Sequence, residues 1–160
     1  MLSGLFAALY AVTVILLAPI SFELFQVRIA DTLLPLSIIF GLPAVIGVTL
    51  GTIVGNSASP LGAIDIIGGT AANFIASFAA WKIGSKNFRG SWITAIAAEN
   101  LVVTVIVGTY LSYLIGIPLE LGLVGVFIGS LIAMNLFGYI LLKTVKLRLS
   151  TAQITGNRSK

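Results

Sequence analysis

Apolar residues run almost without a break from Met1, and scattered polar clusters, rather than a periodic pattern, divide the chain. A helix needs about 20 apolar residues to cross the roughly 30 Å hydrocarbon core of a bilayer. Met1 to Phe22 is uncharged and predicts helix one, ending at Pro19. Ser21 to Asp31 then mixes Glu23, Gln26, Arg28 and Asp31 with Phe22, Phe25, Val27 and Ile29. That segment is too polar to cross and too apolar to hang in water, so it predicts a loop packed on the membrane surface or over a pocket. Thr32 to Ile64 holds 33 residues without a charge, too long for one upright helix and short for two full ones. Gly41-Leu42-Pro43 breaks it, because proline disfavours helix in the residue before it. Two short helices, Thr32–Phe40 and Pro43–Asn56, are expected, with a re-entrant hairpin as the open alternative.

The cluster Asn56 to Gly62 reads as a turn. Helix four is expected from Ala63 to Trp81, helix five from Ser91 to Ile115, and helix six from Leu121 to Leu142. The fold class predicted is an all-α integral membrane protein, a compact bundle of six transmembrane helices with helices two and three short. Residues 1–146 are expected to form the membrane domain and residues 147–160 a polar cytoplasmic tail, with the chain after Lys143 expected to fray.

Composition supports lipid as the main solvent. Of 160 residues only 9% are charged, mean hydropathy is +1.12, and soluble domains carry about a quarter charged residues. Eight of the nine basic residues gather at Lys82, Lys86 and Arg89 and in the tail from Lys143 to Lys160. Six crossings that start inside place both groups inside and only Arg28 outside, as the positive-inside rule asks. Both termini are therefore expected in the cytoplasm, the protein multi-pass in the plasma membrane, and the net charge of +4 is no sign of nucleic-acid binding. The N-terminus has no basic n-region, so the first span reads as retained.

With neither cysteine nor histidine, thiol chemistry and the usual metal ligand and general base are missing. No phosphate loop or Ser/His/Asp set occurs. An enzyme is the least supported class, and no cofactor or metal site is expected.

The informative polar residues are few. Glu99 is the one charge well inside a span, beside Asn100 and on a stripe with Thr104 and Gly108. Intramembrane acids cost about 2.5–3.5 kcal/mol on insertion scales and face a partner or cavity. The plainer reading pairs Glu99 with Lys86 or Arg89 at the interface. Arg28 and Asp31, three apart, either pair with each other or line a pocket with Phe25 and Gln26. Asp65, at the start of helix four, suits a cap, a ligand contact or both. Small residues recur at spacing four in Gly47-Gly51-Gly55, in Gly125-Gly129-Ala133 and in Ser3-Ala7-Ala11, which lets helices approach closely.

The runs Ala7-Ala8-Leu9-Tyr10-Ala11, Leu17-Ala18-Pro19-Ile20-Ser21-Phe22, Phe25-Gln26-Val27-Arg28-Ile29-Ala30-Asp31 and Leu33-Leu34-Pro35 resemble the N-terminal signature of the QueT family. Ile64-Asp65-Ile66-Ile67-Gly68-Gly69-Thr70 resembles that family's fourth helix. The family comprises substrate-binding subunits of energy-coupling factor transporters linked to uptake of queuosine precursors. The resemblance implies an outward-facing pocket capped by the first loop and a 7-deazaguanine ligand. It implies a transmembrane scaffold subunit and two cytoplasmic ATPases as partners, with docking through Ala7 and Ala11. By match to the family pattern it implies Arg28, Asp31, Asn56, Asp65 and Asn100 as ligand contacts; Glu99 joins them from its place in the span. The chain departs from the pattern at Asp31, where glutamate is more usual, and at Gly129-Ser130, where Gly-Glu is common. Rival expectations are an energy-coupling factor subunit for another vitamin-sized solute and a small structural or assembly membrane protein.

Overall fold

The computed structural model describes residues 1–17, 28–86 and 88–158, with side chains as far as Thr151. Among the described residues, six helical elements follow one another. They are α1 (Leu2–Leu16), α2 (Ile29–Phe40), α3 (Leu42–Asn56), α4 (Ala63–Gly84), α5 (Ser91–Ile115) and α6, which begins as Leu119–Ser130. No strand occurs among the described residues. The chain is an all-α integral membrane protein of six helices in which the second and third are short, as the sequence predicts. The end of helix one at Pro19 and the expected loop as far as Val27 lie outside the described residues.

Which residues meet fixes the direction of each helix. Gly47 of α3 abuts Ser3 and Phe6, Gly51 abuts Ala7 and Tyr10, and Gly55 abuts Val14. Numbering therefore rises together along α1 and α3, and the two run parallel. Between them in sequence, α2 runs the other way, from Arg28 beside Asp65 to Ile38 against Gly84. Gly68 of α4 meets Tyr110 of α5, and Gly122 of α6 meets Ser112. Successive elements thus alternate in direction. One end of the bundle carries Arg28, Asn56, Asp65 and Tyr110; the opposite end carries Gly41, Trp81, Lys82, Ser91 and Lys146.

At about 1.5 Å per residue, the 22 residues of α4 and 25 of α5 reach roughly 33 and 38 Å, enough to cross. The 15 residues of α1 and of α3 reach only about 22 Å each. The first eight residues of α2, Ile29–Leu36, are wound as a 3-10 helix that includes Pro35, and one α turn, Ser37–Phe40, completes it. The tighter winding has about 2 Å of rise per residue, which stretches a short segment. Gly41, with φ +64°, makes the reversal into α3, a conformation that a side chain disfavours.

The glycine ladder of α3 is a packing device. A Cβ at Gly51 would lie 2.7 Å from the Ala7 carbonyl oxygen and 2.7 Å from Tyr10 Cβ. Bare glycines let α1 and α3 touch backbone to side chain, where lipid provides no hydrophobic force between helices. Ser3 and Ala7 of the helix-one ladder lie along this same line, and Ala11 is buried. The lipid-side residues are large and apolar: Leu9, Val12, Leu50, Ile67, Leu101, Val105 and Leu131 are all exposed.

α6 departs from expectation in two ways. Its middle, Leu131–Gly138, widens into π-helical turns, and Tyr139–Arg158 then continues as α-helix. Thr32 of α2 donates to the Ala133 carbonyl at 3.2 Å, and Pro35 fills the space beside Gly138. The expected fraying after Lys143 is corrected. The backbone stays helical through Arg158, because Lys, Leu and Arg are sound helix formers even where no longer apolar enough to cross.

A buried polar cluster between the helices

Two hydrogen-bonded groups sit inside this apolar frame. In the first, Arg28 Nη2 stands 3.1 and 3.2 Å from the two carboxylate oxygens of Asp65. Tyr110 donates its hydroxyl to Asp65 Oδ1 at 2.6 Å, and the Asn56 amide donates to the Asp65 backbone carbonyl at 2.9 Å. Arg28 and Asp65 are 4% and 0% exposed, so this is a buried ion pair joining the start of α2 to α4. Burial disfavours the charge on Arg28, and the facing carboxylates of Asp65 and Asp31 offset that cost. The paired glycines of α4 make room. A Cβ on Gly68 would strike the Tyr110 ring, and one on Gly69 would meet the Asn56 amide and the Arg28 guanidinium.

In the second group Asn73 of α4 donates from Nδ2 to the Tyr10 oxygen at 2.7 Å and to Thr52 Oγ1 at 2.9 Å. The Thr52 hydroxyl donates to the Val48 carbonyl, and Tyr10 donates to Asp31 Oδ1 at 2.6 Å. Because Asn73 donates to the Tyr10 oxygen, the hydroxyl points its own proton at Asp31. The chain of donors ends on a carboxylate, the arrangement that strengthens such a bond.

The residues expected from sequence are thus partly brought together. Arg28, Asn56 and Asp65 touch, and Asp31 stands in the same electrostatic neighbourhood. Arg28 does not pair with Asp31 as the plainer reading has it. Asp65 is no cap: Gly62 holds that position, no side-chain capping bond forms, and the carboxylate is spent on Arg28 and Tyr110. Glu99 is 0% exposed and reaches neither Lys86 nor Arg89; both its oxygens lack a hydrogen-bond partner among the described residues. Among the described residues, Asp31 is the charged side chain whose field reaches it. Asn100 is engaged by Asn135 of α6 at 2.8 Å and by Thr104 at 3.0 Å. Asn56 Oδ1 is also buried without a partner. Of the expected docking residues, Ala11 is buried and Ala7 half-buried along the α1–α3 line.

Tyr10, Thr52, Asn73, Tyr110 and Asn135 escaped the sequence reading. The available signal was a lone amide or hydroxyl inside an uncharged run: Asn73 and Asn135 each interrupt such a run, and Thr52 precedes Asn56 by one turn. A separate cavity of about 430 Å³ between α3 and α4, walled by Ile53, Ile66, Ile67 and Phe74, includes none of these charged residues in its lining.

Fold and cluster together define a class: a helical membrane protein that encloses opposed charges and unsatisfied acceptors within an apolar bundle, as membrane components that handle polar solutes do. The family model described as QueT transporter matches residues 1–147, and the chain belongs to the QueT transporter family. It is accordingly a component of a membrane transporter, and the family is one of transporters rather than enzymes. No curated protein and no solved structure gives a significant match.

Proposed function

We propose that the chain is the solute-binding subunit of an energy-coupling factor importer, and that it captures a 7-deazaguanine base from outside the cell. The observation that carries this reading is the pair of unsatisfied acceptors, the Glu99 carboxyl and Asn56 Oδ1. Buried polar atoms are almost always paired, and an exception calls for an explanation. A ligand rich in N–H donors supplies one. The guanine-like edge presents two adjacent N–H groups that a carboxylate accepts side by side, while an amide or guanidinium reads the carbonyl. Asp31, fixed by Tyr10, and Arg28, fixed by Asp65, are the further contacts in this reading; Asn100 orients α6 against α5.

The chain has no phosphate loop of its own, so ATP-driven transport needs partners. The proposed partners are a transmembrane scaffold and two cytoplasmic ATPases, engaged through α1. The face of α1 open to them is Leu5, Ala8, Leu9 and Val12, with Ala7 on its margin and Ala11 turned inward. Both termini lie in the cytoplasm in this account, which puts Lys82, Lys86 and Arg89 inside.

The test is titration of the purified chain with 7-aminomethyl-7-deazaguanine. Asp31→Ala and Glu99→Gln are each expected to weaken binding by about 2–5 kcal/mol, as when one partner of a buried charged hydrogen bond is removed. Unchanged affinity in both variants removes the cluster from the site. A thermal-shift panel of deazapurines against vitamins separates the ligands, since binding the folded state raises its apparent stability. Stabilisation by a vitamin alone reassigns the solute and keeps the subunit role.

A further inference from the structure

At the end of the bundle remote from the polar cluster, α5 and α6 part to leave a cavity of about 400 Å³ lined by Phe88, Ser91, Trp92, Ile93, Tyr139 and Lys146. A second cavity of about 300 Å³ shares Ile93 and Tyr139 and continues along the two helices past Ile96 and Asn135. The two make one slot, polar at its mouth and mainly apolar at depth. We propose that this slot seats an anionic phospholipid, its phosphate headgroup at the mouth and an acyl chain along Ile93 and Ile96.

Several independent features of the mouth suit a phosphate. Lys146 Nζ lies 4.3 Å from the centre of the Trp92 ring, so the ammonium is held over the opening rather than swinging free. Ser91 is 5% exposed, and its hydroxyl has no hydrogen-bond partner among the described residues. The slot mouth is also the N-terminus of α5. There the Ser91 amide bonds Phe88 and the Thr94 amide bonds Gly90, while the amides of Trp92 and Ile93 between them are left to an acceptor. Such a terminus favours an anion.

The long-range field agrees. Lys82, Lys86, Arg89, Lys143, Lys146 and Arg148 belong to this end, whereas the described carboxylates Asp31, Asp65, Glu99 and Glu120 lie in the interior or toward the other. A lipid rather than a free anion is indicated by the walls. Ile93 is 63% and Phe88 46% exposed beside the slot, and its deep half, Asn135 and Tyr139 apart, is apolar and suits an acyl chain better than an inorganic ion.

The experiment is native mass spectrometry of the full chain released from nanodiscs of equal phosphatidylglycerol and phosphatidylcholine. Phosphatidylglycerol is expected to be retained in preference, and Lys146→Gln to cut that preference roughly fivefold, the effect of one basic residue at an anionic surface. Lys82→Gln removes the same charge from the same end but from Trp81, outside the slot, and is expected to leave the preference intact. Equal retention of the two lipids overturns the proposal. So does an equal loss in both variants, which makes the effect one of general charge. Retention of added inorganic phosphate with no lipid preference assigns the mouth to a free anion and overturns it as well.

Discussion

Replacing Asp65 by asparagine keeps the shape of the side chain and removes only its charge. The amide oxygen can still accept from Tyr110, which stands 2.6 Å away, but Arg28 loses the counter-ion that it meets at 3.1 and 3.2 Å. Breaking a buried pair by removing one partner costs about 3–5 kcal/mol, because the remaining charge stays out of water. Asp31 still acts on Arg28, which puts the expected cost at the low end, about 3 kcal/mol. At about 1.4 kcal/mol per tenfold, that is roughly a 150-fold fall in the folding equilibrium. The companion variant Arg28→Leu/Asp65→Leu removes both charges, and such exchanges are close to neutral for stability. Chemical unfolding in detergent, followed with and without 7-aminomethyl-7-deazaguanine, reads both quantities. The single variant should unfold early; the double variant should unfold near the wild type yet fail to bind. A cost below about 0.5 kcal/mol for Asp65→Asn, in the range of ordinary surface changes, refutes the pairing argument, and wild-type affinity in the double variant removes the ion pair from the site.

Gly51→Ala places a methyl 2.7 Å from both the Ala7 carbonyl and Tyr10 Cβ, so α1 must shift away from α3. A loss of about 1–3 kcal/mol in unfolding free energy is expected from overpacking, and a stability equal to wild type contradicts the close α1–α3 contact. Ala8→Leu and Ala11→Leu separate docking from packing. Ala8 is exposed, so its variant should keep the chain stable while losing co-purification with the scaffold; Ala11 is 7% exposed, so its variant should destabilise the chain itself. Retained association in Ala8→Leu shows that α1 docks by another face or not at all.

The spans were legible because lipid leaves a coarse mark: long runs without charge, ended by Gly-x-Pro turns or by basic loops. Even the short pair α2 and α3 could be read from the break at Gly41-Leu42-Pro43. What the pattern could not supply was the pairing of polar groups. Arg28 has Asp31 three residues away, yet it forms an ion pair with Asp65, 37 positions on, because α2 and α4 meet at one end of the bundle. The plainer reading paired Glu99 with a neighbouring base, but helical geometry turns it inward and leaves Lys86 and Arg89 at the end. Tyr10, Asn73 and Thr52 looked like tolerated polar exceptions in apolar runs; only the close α1–α3–α4 approach reveals them as one donor chain ending on Asp31. The small ladder of α1 has the same lesson. Spacing at four showed that a helix packs there, not which helix, and the partner along Ser3 and Ala7 is α3 of the same chain.

The claim on which the rest depends is that this chain, alone, holds a polar solute among Arg28, Asp31 and Glu99. Equilibrium dialysis of the purified protein against radiolabelled 7-aminomethyl-7-deazaguanine tests it directly. Saturable binding of one molecule per chain, competed by the unlabelled base and absent from Asp31→Ala, is the predicted result. Retention that never saturates, or that persists unchanged in Asp31→Ala, contradicts it.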